Sequence, residues 1–193
     1  MRLVRTSKKP WRQANVALGI SIRPAVSGDE IALATVGAAT FLESYSETIP
    51  GTDLIQHCQR EHAPEVYHGY ITSNDPHYAC WIAEYTGTGA PIGYAVTSAV
   101  EAPTEGRPGD IELKRIYVFS KYHGTGAGRE LMMRALGHAR EIGAKRMLIG
   151  TYDQNHRAVA FYQRAGFEKV GERRFPVGNQ IFDDIVMAMA LTG

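Results

Sequence analysis

The 193-residue chain has few of the features that would assign it to a class at once. It carries only two cysteines, Cys58 and Cys80, too few for a disulfide framework at this length, so we expect both to be buried small side chains. Its apolar runs fall short of the ~20 residues that a membrane-spanning helix needs. The formal net charge of +1 gives no general attraction to nucleic acid or to a membrane. We therefore expect a soluble, cytoplasmic protein with neither as a partner.

Signatures of metal and nucleophile chemistry are also missing. The histidines and cysteines show no zinc-ligand spacing, and His57 and His62 lack the glutamate of the helical metallopeptidase motif. The chain has no Gly-x-Ser-x-Gly nucleophile elbow. The aromatic residues between positions 67 and 81 have no lysine or arginine among them, so they are predicted to be core and substrate-wall residues rather than a base-stacking platform. We expect no metal.

The first eighteen residues differ from the rest in charge. They contain five basic residues and no acid, which leaves 16 basic and 20 acidic residues in the remainder. They also lack an apolar run of signal-peptide length. We predict a solvated basic extension over residues 1–18, with a transit peptide as the alternative, and one domain over residues 19–193.

Apolar periodicity and turn residues predict a mixed α/β domain in which only the middle strands can be parallel. The predicted strands are 19–24, 78–85, 92–100, 111–119, 146–152, 167–170 and 181–190. The predicted helices run from a capping box at Ser27 and Glu30 to Phe41, from Thr52 to Glu61 before a terminating Pro64, from the glycine loop to Gly143, and from Asn155 to Ala165.

The most informative stretch joins the strand at 111–119 to the helix that ends at Gly143. It reads His123-Gly124-Thr125-Gly126-Ala127-Gly128-Arg129. Three glycines alternate with small residues just before a helix, so backbone N–H groups can converge at the helix N-terminus, where a phosphate is favoured. Arg129 stands where a dinucleotide fingerprint needs glycine or alanine, and the Gly-Lys-Ser/Thr of a nucleotide-triphosphate loop is absent. A glycine loop that merely turns a corner is the alternative.

This loop resembles the acetyl-CoA pyrophosphate motif of the GNAT N-acetyltransferase superfamily, which reads Gln or Arg, two residues, Gly, one residue, Gly or Ala. His123, Gly126 and Gly128 fill those places, with histidine instead of Gln or Arg. A second stretch, residues 155–167, matches the Asn, Ala, Phe-Tyr, Gly-Phe pattern of many members. The resemblance implies the GNAT acyl-CoA N-acyltransferase fold, a mostly antiparallel sheet with one splayed parallel pair and flanking helices, and acetyl-CoA as co-substrate.

The resemblance also implies which residues bind acetyl-CoA. They are Ile116, Tyr117, Val118, His123, Gly124, Thr125, Gly126, Ala127, Gly128, Arg129, Asn155, Phe161 and Tyr162. A backbone N–H near Val118 would polarise the acetyl carbonyl. Tyr162 would donate a proton to the departing thiolate, since a tyrosine is protonated at pH 7; a core aromatic is the alternative. Asn155 would bind the pantetheine arm, cap the helix, or do both.

Glu112 is the candidate base of this reaction. An alkyl ammonium group has a pKa near 10.4, so an enzyme has to remove a proton before the nitrogen can attack. Glu112 lies on the central strand just before the glycine loop, and it would act directly or through water. The alternative is a solvated carboxylate or an ion pair with Lys114, which shares a strand face with it in a regular strand.

Residues 111–118, 170–178 and 183–187 resemble the bacterial spermidine/spermine acetyltransferases. Glu43 and Glu47 stand one helical turn apart, so with Asp183 and Asp184 they could form an acidic cleft for a polycation. We therefore expect an acetyl-CoA-dependent N-acetyltransferase, a monomer or a homodimer, that acts on a primary amine such as a polyamine or another small amine. Peptide or protein amines, and a non-catalytic acyl-CoA-binding regulatory module, are the alternatives.

Overall fold

The structure, a computed structural model, describes residues 19–191, in which one seven-stranded sheet is flanked by five α-helices. The predicted basic extension over residues 1–18 lies outside the described residues. The strands are β1 (Ile20–Pro24), β2 (Ala79–Tyr85), β3 (Ala90–Ser98), β4 (Asp110–Val118), β5 (Arg146–Tyr152), β6 (Glu168–Val177) and β7 (Gln180–Ala190). The helices are α1 (Glu30–Tyr45), α2 (Gly51–Glu61), α3 (Pro64–Ile71), α4 (Ala127–Glu141) and α5 (His156–Ala165). None of them is long and apolar enough to cross a membrane.

The sheet has the order β1-β2-β3-β4-β5-β7-β6, and every neighbouring pair is antiparallel except β4 and β5. This confirms the predicted mixed sheet with its parallel pair in the middle. The register of that pair extends only from Asp110 opposite Arg146 to Glu112 opposite Leu148. Beyond Glu112 the two strands separate, and the gap opens at their carboxyl ends.

Helices pack on both faces of the sheet. Successive side chains of a strand point to opposite faces, so alternate residues pack against different helices. On β2, Cys80 and Ile82 pack with α1 and α3, whereas Trp81 and Ala83 pack with α4. Each fully buried side chain of the size of Ile82 contributes about 1.5–3 kcal/mol. Cys80 and Cys58, on β2 and α2, are buried and free as predicted. The gap between β4 and β5 therefore lies in a rigid, doubly covered sheet.

The beginning of α1 differs from the prediction. Ser27 does not cap α1; the N-cap is Asp29, whose carboxylate accepts the N–H of Val26 and binds the guanidinium of Arg23 at 2.7 Å. α2 ends at Glu61 as predicted. Pro64 lies in the first turn of the next helix, α3, where its missing N–H costs no hydrogen bond.

The carboxyl-terminal hairpin is longer than predicted. β6 extends to Val177 rather than ending at 170, and it pairs with β7 along nearly its whole length. Pro176 is accommodated because β6 is the last strand of the sheet, and a proline on an edge strand removes no ladder hydrogen bond. The hairpin brings Arg173 and Phe175 next to β4 and α2, so it helps to form the site.

Candidate active site

The separated ends of β4 and β5 open into a cavity of about 990 Å³, which we term the glycine-loop groove. Its lining includes eleven of the thirteen predicted cofactor-binding residues: Ile116, Tyr117, Val118, His123, Gly124, Gly126, Gly128, Arg129, Asn155, Phe161 and Tyr162. The other two do not line it. The hydroxyl of Thr125 donates to the carbonyl of Tyr122 at 2.7 Å, and Ala127, the first residue of α4, is fully buried. The groove thus joins the two sequence motifs.

The loop has the geometry of an anion site. Gly124 and Gly126 have φ angles of +83° and +92°, a region that residues with a Cβ rarely adopt. Gly126 is the N-cap of α4 and offers no side chain to the first-turn N–H groups, so these groups can be satisfied by a ligand. Three arginines also line the groove. Arg157 and Arg164, two turns apart on α5, line the groove with Arg129, and their spacing could have revealed them from the sequence.

The N–H of Val118 points into the gap. The next amide, that of Phe119, donates to Ile92 beside β3 at 2.9 Å, and successive N–H groups of a strand point to opposite edges. Val118 therefore directs its N–H toward β5, where the pairing has already ended at Glu112. This is the position that the predicted carbonyl-polarising donor requires.

His123 stands where the motif usually has Gln or Arg, and it does not supply the positive charge that an arginine would. Its Nε2–H donates to the carbonyl of Val118 at 2.8 Å. Burial, followed by the nearby Arg157, lowers the pKa of the imidazole below its usual value, so His123 is neutral at pH 7. Its ring is hydrogen-bonded to the end of β4 and brings no positive charge to the groove.

Tyr162 reaches the groove from α5 and packs in the main core at the same time. Burial, and next the neighbouring phenol of Tyr117, raise its pKa far above the usual value of a tyrosine. Its hydroxyl is therefore protonated at every working pH. Asn155 caps the same helix, because its side chain accepts the N–H of Ala158 at 3.1 Å, and it also lines the groove.

A second cavity, of about 370 Å³, lies on the other side of β4 between α1, α2 and the β6–β7 hairpin. We term it the aromatic pocket, because rings from all of these elements line it. The rings are those of Phe41, Tyr45, His57, His62, Tyr117, Tyr152, Phe175 and Phe182. The two cavities meet at Tyr45, Lys114, Arg115, Tyr117, Gly150 and Thr151, which line both. A group held at this junction contacts both cavities.

A buried cluster of two carboxylates and one guanidinium lies in the aromatic pocket. Arg173 binds Glu112 at 3.2 Å and Asp184 at 3.1 Å, and it also donates to the hydroxyl of Thr104 at 2.6 Å. Glu112 and Asp184 are only 5% and 7% exposed. Burial raises the pKa of both carboxyl groups, and Arg173 opposes that rise. Gly150 makes room for the cluster, because a Cβ there would overlap the guanidinium of Arg173.

A β-bulge in β4 determines which side chains face the aromatic pocket. The register with β3 shifts between Arg115 and Leu113, so Lys114 is the extra residue. Beyond such a bulge the faces exchange, and Arg115 and Tyr117 join Glu112 on the pocket side. Lys114 pairs with Glu101 at 2.7 Å, so the alternative ion pair between Lys114 and Glu112 does not form.

The three acids predicted to bind substrate are not brought together. Glu43 accepts the N–H and the hydroxyl of Ser120 at 2.9 and 2.8 Å, Glu47 is exposed, and the side chain of Asp183 is 84% exposed beside Arg174. None of them lines either cavity. Arg173 was missed, and Asp184 rather than Asp183 faces the pocket. Within residues 19–191, no group of three or more potential ligands could hold a metal ion.

Two buried histidines form part of the wall near α2. Burial lowers the pKa of His57 to about 4 and that of His62 to about 3. His57 stacks on Phe41 with a centroid separation of 4.5 Å, and His62 contacts the hydroxyl of Tyr67 at 2.8 Å. Both rings are therefore neutral at pH 7.

Acid should destabilise the folded chain through these histidines. Below pH 6.5 the imidazole of His57 is protonated in the unfolded state and stays neutral in the folded state. The free energy of unfolding therefore falls as the pH drops from 6.5 toward about 4. In His57→Phe the free energy of unfolding, measured by urea titration, should depend less steeply on pH over this range. The slope should be smaller than that of the parent chain by up to about 1.4 kcal/mol per pH unit. The same change at exposed His156 is the control. An unchanged slope in His57→Phe would contradict the assignment.

The sequence is similar to those of known proteins. The sequence profile of the Acetyltransferase (GNAT) family matches residues 41–167. An uncharacterized N-acetyltransferase of Mycobacterium tuberculosis is 31% identical over 159 residues, which are 82% of this chain and 96% of that protein. The spermine/spermidine N(1)-acetyltransferase of Bacillus subtilis is 28% identical over 86 residues, which are 44% of this chain and 57% of that protein.

Solved structures share the fold. The paiA N-acetyltransferase of Thermoplasma acidophilum, in complex with coenzyme A, has a TM-score of 0.73 at 16% identity and covers 90% of this chain and 99% of its own. The yncA protein of Salmonella typhimurium, with its cofactor acetyl-CoA, has a TM-score of 0.63 at 20% identity and covers 90% and 95%. The match to the family profile, which spans both motifs, decides the assignment. The chain therefore belongs to the acetyltransferase (GNAT) family and is an acetyl-CoA-dependent N-acetyltransferase.

Proposed function

We propose that the chain transfers the acetyl group of acetyl-CoA to the primary amine of a small molecule at the junction of the two cavities. The observation that carries this proposal is that the glycine-loop groove and the aromatic pocket share Tyr117 and Gly150. A phosphate-binding loop lies on one side of the junction and a buried carboxylate pair on the other. This arrangement suits a thioester in the groove and an amine in the pocket.

Glu112 serves as the base in this proposal. It lies in the aromatic pocket, and burial raises its pKa, which makes it a better proton acceptor than an ordinary glutamate. The proton of the ammonium group passes to the carboxylate, directly or through a water molecule, and the freed nitrogen lone pair attacks the carbonyl. Arg173 keeps enough of Glu112 ionised at neutral pH by opposing the effect of burial.

Tyr162 serves as the hydrogen-bond donor to the sulfur. Because its pKa is raised far above that of a thiol, near 8.5, the phenol keeps its proton and stabilises the developing thiolate by donating a hydrogen bond. The thiolate takes up the second proton, which the attacking nitrogen loses as the amide forms. The N–H of Val118 is the donor for the carbonyl oxygen, whose negative charge grows during attack.

Tyr162→Phe keeps the ring and removes this donor. We expect kcat to fall by roughly ten- to a thousandfold, the scale of lost acid catalysis, while the Kd of acetyl-CoA changes little. Tyr85→Phe, which removes a hydroxyl from a ring that lines neither cavity, should have no effect on kcat. If Tyr162→Phe retained the parent turnover, the role of Tyr162 would be packing alone.

The acceptor deserves a direct assay. A polyamine is supported by the Bacillus subtilis relative, which matches less than half of this chain, whereas Glu43, Glu47 and Asp183 line neither cavity and so add no support. Release of free thiol from acetyl-CoA, measured with monoamines, polyamines and peptides, tests the proposed function. Thiol release that depends on a small amine is expected. Release only with peptides would favour a peptide amine, and binding of acetyl-CoA without any release would favour a regulatory module.

A further inference from the structure

We infer that the acceptor carries its primary amine on a flat apolar group, as an arylalkylamine does, and is not a polycation. This inference rests on the proposed function and names the substrate class for it. Its basis is the composition of the aromatic pocket, in which a ring-lined region adjoins the carboxylate pair. Three features support it, namely the rings, the pairing of the charges and the neutral histidine.

The rings come from six different elements, α1, α2, β4, β5, β6 and β7, which enclose the pocket from several sides. From α1 and α2, Phe41 stacks on His57. From the hairpin, Phe175 packs edge-to-face with His57, with 6.4 Å between the ring centroids, and Phe182 packs edge-to-face with Tyr152 of β5, with 5.6 Å between the centroids. Aromatic walls of this kind favour a ring in offset-stacked or edge-to-face contact. A flat apolar group in the pocket would gain these contacts, whereas a hydrated polyamine chain would lose water and gain few of them.

The charges of the pocket are already balanced within the protein. Four cationic and four acidic side chains line it, and each cation has an acidic partner. Arg60 and Arg115 pair with Glu61, Lys114 pairs with Glu101, and Arg173 pairs with Glu112 and Asp184. A polycation needs excess carboxylates for each of its remote ammonium groups, whereas the pocket as a whole has equal numbers of cationic and acidic side chains. Only the cluster around Arg173 has one more acid than cations. That cluster suits one ammonium group.

His57 adds a flat ring without charge to the wall of the pocket. The residue is 5% exposed, and its Nδ1 is buried with no hydrogen-bond partner among residues 19–191. Burial keeps the ring neutral at pH 7, so it neither repels an ammonium group nor attracts a further charged group. The pocket is therefore suited to an aromatic group that carries no additional charge.

The test compares kcat/KM for three amines that differ in the group carried by the nitrogen. Phenethylamine has a ring, hexylamine has a flexible apolar chain, and spermidine has additional charges. We expect phenethylamine to exceed both others by about tenfold or more, the scale of a good apolar contact in a pocket. Salt should change the spermidine rate little, since no acidic cleft attracts it. A preference for spermidine that weakens with salt, or equal rates for phenethylamine and hexylamine, would overturn the inference.

Variants of the wall make the test independent of the amines chosen. Phe175→Leu should raise KM for phenethylamine several-fold and leave hexylamine nearly unchanged, whereas Tyr85→Leu, outside both cavities, should alter neither. Equal effects of Phe175→Leu on both amines would contradict the inference. Failure of the proposed function would look different, because no small amine, spermidine included, would then release thiol from acetyl-CoA.

Discussion

The Gly126→Val variant is expected to bind acetyl-CoA on the order of a hundredfold more weakly than the parent chain, about 2.7 kcal/mol of binding free energy. Gly126 has a φ of +92° and caps α4 without a side chain. Valine disfavours that conformation and projects a branched side chain at the loop, so the first-turn N–H groups lose their common direction and the pyrophosphate cannot approach. Isothermal titration calorimetry measures the effect.

Gly143 supplies the matched control at the other end of the same helix. It follows α4 with a φ of +74°, and a Cβ there would meet no atom within 4 Å. Gly143→Val should therefore lose similar stability, about 1–2 kcal/mol from the left-handed backbone, and keep its affinity for acetyl-CoA. Melting temperatures show whether the two variants are comparably folded. Parent-like affinity in a folded Gly126→Val protein would place the cofactor elsewhere.

Glu112→Gln should reduce kcat/KM for the amine by roughly a hundred- to ten-thousandfold, since general base catalysis contributes on this scale. The amide still accepts a hydrogen bond from Arg173, so the cluster and the affinity for acetyl-CoA should persist. Glu101→Gln, at the rim of the same pocket and paired with Lys114, is the control for a lost carboxylate. Its effect should be small, because exposed ion pairs contribute about 0–1 kcal/mol.

The pH profile separates a base from a structural carboxylate. The parent kcat/KM should fall as the pH drops through the pKa of Glu112, which burial raises above the usual glutamate value. Glu112→Gln should lose this limb, whereas Asp184→Asn should keep it and only shift its position. If Asp184→Asn abolished the limb and Glu112→Gln did not, Asp184 would be the base.

The parts of the site that the sequence predicted are those formed by neighbours along the chain. The glycine loop and the cap at Asn155 are read from short stretches in which residue type fixes the local backbone. Gly126 adopts the positive φ that its position requires, and the carboxamide of Asn155 accepts the N–H of Ala158. Because both motifs lie beside the same parallel pair of strands, their meeting in one groove followed from the topology.

The acceptor side could not be predicted in the same way, because it depends on contacts between distant segments. A regular strand would place Arg115 and Tyr117 on the face opposite Glu112, and only the bulge at Lys114 brings the three together. Arg173 was assigned to no element, since the prediction ended the strand at residue 170. It precedes Phe175 and Val177 at a spacing of two on β6, and this alternation was the available signal.

The acidic cleft was predicted from the spacing of Glu43 and Glu47 along the chain, and this spacing was not sufficient. Glu43 lies in the last turn of α1, but the helix ends at Tyr45 and Glu47 follows it in a turn, so the two side chains do not share a helix face. Glu43 is engaged by the N–H and hydroxyl of Ser120, at the start of the segment that follows β4. It contributes to the connection with the glycine loop instead of facing the aromatic pocket.

The most direct test of the proposed transfer to an amine is to follow the acetyl group itself. The full-length protein is incubated with acetyl-CoA labelled in the acetyl group and with phenethylamine, hexylamine or spermidine, and products are identified by mass spectrometry while free thiol is counted. We expect the label to move to the amine nitrogen of at least one of them, with one thiol released for each amide formed. Acetyl-CoA that binds in the glycine-loop groove but gives neither labelled amide nor thiol with any amine would contradict it.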